Sequence, residues 1–105
     1  METFERDFDK AKEDFNQFVS SLGKERLGNF ADAMKKEIDK VEGIMEMSVD
    51  SEGEKVRMIR EQLSKCDNMA CMERDRNRNA DYSPLFRIIE NLKYGVDEYE
   101  SRIEY

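Results

Sequence analysis

The stretch FERDFDKAKEDFNQFVSSL, residues 4–22, decides the fold. Its apolar residues Phe4, Phe8, Ala11, Phe15, Phe18 and Leu22 are spaced by alternating steps of four and three, and the positions between them are mostly Glu, Asp, Lys, Asn and Gln. Such steps keep side chains on one face of a helix, whereas a half-buried strand needs steps of two. The spacing predicts a helix over about 3–22 with a narrow apolar seam. Gly23 comes next, a residue that can take the left-handed conformation that ends helices.

The same rhythm continues outward. Leu27, Phe30 or Ala31, Met34, Ile38, Val41 and Met45 predict a second helix over 25–48, with Asp32 and Lys36 one turn apart on its outside. Ser51 and Glu54 form an S-x-x-E capping box, whose hydroxyl and carboxylate each accept a bond from an orphan backbone N–H. A third helix is expected over 51–73, with Val56, Ile59, Leu63, Cys66 and Ala70 as its seam. Residues 74–82, Arg-Asp-Arg-Asn-Arg-Asn-Ala-Asp-Tyr, lack periodicity and read as the main loop. Ser83 before Pro84 marks a helix start, since the hydroxyl can cap free N–H groups and proline has no donor to leave unsatisfied. The fourth helix, 83–104, carries Leu85, Ile89, Leu92, Val96, Tyr99 and Ile103, and Phe86 and Ile88 broaden its stripe.

Matched lengths and short links favour antiparallel neighbours. The expected fold is all-α: one helical domain over 1–105, an antiparallel four-helix up-down-up-down bundle with coiled-coil-like heptad seams. The narrow seams leave an alternative, helical hairpins completed by oligomerisation or by a partner. No segment repeats another, and no alternating β-branched run suggests a strand. The first three segments, about 70 residues, resemble the N-terminal three-helix regulatory domain of SNARE proteins, with Phe4 and Phe8 opening an acidic helix and Glu42 to Met47 closing the second. No SNARE helix or membrane anchor is read in the chain, and the resemblance assigns no functional residue.

The formal charge is −7, from 25 acidic and 18 basic side chains, and the acidic excess is spread along the chain. Nucleic-acid phosphates and anionic membranes select for a basic face, so neither is an expected partner. No apolar run is long enough to span a membrane, and the first residues lack the basic start and apolar stretch of a signal peptide. The two cysteines, Cys66 and Cys71, suit a reducing compartment, and their separation along a helix is too great for a disulfide. The expected setting is intracellular and cytoplasmic, with free thiols and Cys66 in the core.

Histidine is absent, which removes the commonest general base and metal ligand. The five glycines never group into a phosphate-binding loop. Counting a calcium loop from Asp50 puts Gly53 fourth instead of sixth, so capping is the better reading of that segment. Glu13 with Asp14, and Glu98 with Glu100, read as solvated faces instead of an acid–base pair. Cys71 lies near Arg74 and Arg76, which would favour a thiolate, but no histidine base accompanies it. No enzyme and no cofactor are expected.

The expected function is that of a non-enzymatic protein–protein interaction module, an adaptor or small subunit presenting a helical face. The alternatives are a self-assembling coiled-coil structural protein and an acidic inhibitor or host-modulating protein that binds a basic groove of its target. The candidate partner-binding residues are Met58, Met69 and Met72, whose thioethers make adaptable contacts, and Arg74, Arg76 and Arg78, which also offset the negative end of a helix dipole. The aromatic side chains Tyr82, Phe86, Tyr94 and Tyr99 join them, with Tyr105 beyond, as more amphipathic surface than one seam needs.

Overall fold

The computed structural model describes residues 2–48 and 50–103, and every described seam residue either belongs to one apolar core or packs against it. Phe4, Phe8, Ala11, Phe15 and Phe18 are all buried on the first helix, α1 (Glu2–Leu22). Gly23, at φ 89°, ends it by donating its N–H to the Val19 carbonyl.

The second predicted helix is two helices. A single turn, α2 (Lys24–Leu27), precedes α3 (Asn29–Glu46), and Gly28 at φ 57° and ψ −137° divides them. That conformation is strained for any residue with a Cβ and open to glycine, and the backbone kinks there. Leu27, Phe30, Ala31, Met34, Ile38 and Val41 are buried across the break. The helix also stops two residues short of the expected end at 48.

The third predicted helix is α4 (Glu52–Arg76), which starts one residue later and ends three residues later than expected. Ser51 caps it, its hydroxyl accepting from the Glu54 N–H at 3.2 Å. The other half of the capping box is not made, because the Glu54 carboxylate turns outward to the Arg57 guanidinium. The main loop shrinks to 77–82, and Arg74 and Arg76 belong to the last turn of α4. There they complement the helix dipole.

The last helix, α5 (Ser83–Ser101), begins as predicted at Ser83–Pro84 and ends before the expected 104. Its cap differs from the expectation. The Asp81 carboxylate, not the Ser83 hydroxyl, accepts the Ser83 N–H at 3.0 Å, and this bond holds the Asp81 pKa below its ordinary range. The expected helical residue 104 and the candidate Tyr105 lie outside the described residues.

The close helix pairs are α1 with α5, α5 with α4, and α4 with α3, each antiparallel. Arg102 reaches Thr3, Arg60 reaches Asp97 and Glu100, and Gln62 reaches Glu37. Four long helices thus run up, down, up and down, with α1 and α3 facing each other through the Lys12–Glu42 ion pair at 3.2 Å. Both partners of that pair are about half exposed, so it sets register more than stability.

The core is fully apolar along its length, with Met34, Val41, Ile59, Leu63, Cys66, Ala70 and Leu85 inaccessible to solvent or nearly so. Each fully buried large side chain contributes roughly 1.5–3 kcal/mol. Three polar side chains are buried at its edges, and all are satisfied. Lys55 donates to the Met45 carbonyl at 2.9 Å. Gln62 donates to the Glu37 carbonyl and carboxylate at 2.8 and 3.0 Å. Glu73 accepts from Tyr82 and Arg76.

Candidate functional site

The end of the bundle where α4 hands over to α5 is built around Tyr82. Its ring packs against Phe18 and Phe30, with centroids 6.0 and 6.1 Å away, and so ties α1, α3 and the loop together. The Tyr82 hydroxyl donates to the Glu73 carboxylate at 3.0 Å and accepts from Asn77 at 3.2 Å. Only 2% of Tyr82 is exposed, and burial, followed by the adjacent Glu73 carboxylate, raises its pKa. Tyr82 is therefore a structural pin, and its expected place on a binding surface is corrected: the polar loop around it in sequence folds over it.

Glu73, held by Tyr82 and Arg76, forms one wall of a groove between α3 and α4. Its lining is mostly apolar: Phe30, Ala33, Met69 and Met72, with Asn29 and Arg76 at the rim, enclosing about 320 Å³. Met72 is 72% exposed, the most exposed large apolar side chain among the described residues. Met58 lies on the same face of α4, three turns before Met69, and is half-buried.

The other candidates scatter. Arg74 lies over the Phe86 ring at 5.1 Å on the α4–α5 side, and with Asp75 and Arg78 lines a small hollow at the bundle end. Tyr99 is half-buried at the opposite end, where its hydroxyl donates to Glu52; burial first and Glu52 second push its pKa up to about 12. Tyr94 is 64% exposed on the outer side of α5. Of the ten candidates, the α3–α4 groove brings together Met69, Met72 and Arg76.

Sequence reading missed the α3 side of this groove. Ala33 is its clearest signal: a small residue at an outward position of an otherwise polar face leaves room above it.

It missed also a second and larger groove, between α1 and α5. Near Tyr94 this groove encloses about 610 Å³, floored by Ala11, Ile88 and Gly95. It continues toward Pro84 as a further hollow of about 510 Å³, with Lys10, Asp14, Ile88 and Asn91 shared between the two. Gly95 lets α1 pack closely on α5 beneath the groove, since a Cβ there would fall 2.7 Å from Asp7 Oδ2 and 3.2 Å from the Phe4 ring.

The cysteines take no part in either groove. Cys66 is buried, and loss of solvent, with the nearby Glu37 charge, pushes its pKa up to about 12. Cys71 is half-buried, and both thiols are free. Among the described residues no helix is long and apolar enough to cross a membrane. Comparison with protein-family models, with curated proteins and with solved structures finds no match to this chain.

Proposed function

We propose that the chain is a non-enzymatic protein-interaction module, an adaptor or small subunit of a larger assembly, that receives a partner's apolar side chains in the α3–α4 groove. The observation that carries this reading is Met72, which lies off the α4 seam and is 72% exposed beside Phe30, Ala33 and Met69 in the groove. A thioether leaves water readily and adapts its shape to the side chain it meets, which suits a docking surface more than a fixed chemical site. The absence of histidine from the chain supports the non-enzymatic part. A cytoplasmic setting goes with the proposal, supported by the two free thiols.

Affinity purification from the native source with the wild type, Met72→Glu and Met47→Glu tests it. Met47 is 45% exposed and lies outside the groove, so its variant controls for an added surface charge. The expected result is a partner retained by the wild type and by Met47→Glu and lost with Met72→Glu. A partner retained equally by all three overturns the groove assignment.

A further inference from the structure

The α1–α5 groove lies on the side of the bundle opposite the α3–α4 groove, because α5 and α4 form the edge between them. Its charge and shape are independent of any role of the α3–α4 groove. Four carboxylates line the wider part of the α1–α5 groove, Asp7, Asp14, Asp97 and Glu98, against the single cation Lys10. Two of them are neutralised within the fold: Asp14 by Lys10 at 3.5 Å and Asp97 by Arg60 at 2.7 Å. Asp7 and Glu98 have no ion-pair partner among the described residues. Tyr94 stands at the same wall with most of its ring in solvent, where it can take a cation on its face.

We propose that this groove docks a cationic amphipathic helix of a partner protein. The charge sets the sign: lysine or arginine side chains of the incoming segment would meet Asp7, Glu98 and the Tyr94 ring, while its apolar residues would rest over the floor at Ala11 and Ile88, beside the Asp7 carboxylate that packs on Gly95. The shape sets the secondary structure. Two antiparallel helices present a trough into which a third helix packs ridges into grooves, and they offer no free backbone groups to pair with an extended chain. From Pro84 to Ser101 the trough is roughly 25 Å long at 1.5 Å per residue, the length of about five helical turns. With the α3–α4 groove on the opposite side, one chain could hold two partners at once.

A fluorescein-labelled helix-forming peptide of about 18 residues, with lysines along one side and leucine and alanine elsewhere, is the probe, titrated by fluorescence anisotropy. Its counterpart with glutamates in place of the lysines is the first control. The double variant Asp7→Asn/Glu98→Gln is compared with Asp32→Asn/Asp39→Asn, which removes two exposed charges from α3 and changes net charge equally. Circular dichroism and the melting temperature establish that each variant folds, and Glu98→Lys, at an exposed position, gives a further variant if Asp7→Asn disturbs packing.

The lysine peptide is expected to bind the wild type, about tenfold more weakly the groove double variant, and within about twofold the α3 double variant. Tyr94→Ala is expected to weaken binding by about fivefold. Equal loss in both double variants overturns the proposal, because net charge alone then explains binding. So does binding of the glutamate peptide, or displacement of the lysine peptide by spermine at matched charge concentration, which marks diffuse cation attraction. Self-association abolished by Asp7→Asn/Glu98→Gln would assign the groove to the Arg74–Arg78 stretch of a second copy and overturn a foreign helix.

Discussion

Two side chains carry more than their position in the sequence suggests. Tyr82 holds the ring that touches α1, α3 and the α4–α5 loop together, and its hydroxyl satisfies the buried Glu73. Tyr82→Phe keeps the ring and removes the donor, which leaves a buried carboxylate oxygen short of one bond. The expected cost is about 1–3 kcal/mol, read as a lower urea midpoint with unchanged slope. No change in midpoint would mean that solvent reaches Glu73. Glu37 has the opposite kind of influence, through pH. Lys40 first and Gln62 second hold its carboxyl below the ordinary 4.5, so folding favours the ionised form. The unfolded chain binds the proton more tightly, and the stability from Glu37 is present above pH 4.5 and lost as pH falls through its folded pKa. Glu37→Gln is expected to make the fall in stability between about pH 5 and pH 3 shallower, measured by denaturant unfolding across that range. An unchanged slope would show that other carboxylates account for the acid response.

At the scale of elements, glycine decides where α2 ends and α3 begins. Gly28→Ala and Gly43→Ala make the same chemical change with open space around both Cβ positions. Gly28 sits at φ 57°, ψ −137°, so alanine there is strained by about 1–3 kcal/mol. Gly43 sits inside α3, and alanine there is expected to stabilise by about 0.5–1 kcal/mol. Thermal unfolding of the two variants should therefore move in opposite directions. The break at Gly28 was not legible in the sequence because Leu27 and Phe30 keep the apolar phase across it; side-chain periodicity is blind to a one-residue backbone kink. The true end of α4 was hidden for a related reason. Arg74, Asp75 and Arg76 have no apolar face to reveal a helix, and the turn is held instead by the dipole and the Glu73 network. The seams themselves were legible throughout, since one face of period 3.6 is all that a bundle core requires.

At the scale of the molecule, the narrow seams that left room for oligomerisation are used within one chain. Phe4 to Phe18, Phe30 to Val41, Val56 to Ala70 and Leu85 to Val96 close on each other, and the described surface keeps only Met47, Met72 and Tyr94 as exposed large apolar side chains. The covered heptad seams are accounted for within one chain, and the proposal of a protein partner rests on the outward grooves instead. Those grooves were not legible in advance, because each is made by residues of two helices far apart in sequence: Ala33 with Met72, and Asp7 with Tyr94. Sedimentation equilibrium across about three decades of concentration tests this closure most directly. One species of 12.5 kDa at every concentration is the expected result. A mass that climbs toward a dimer as concentration rises would contradict it, and would return the apolar surface of this bundle to contacts between copies of the chain.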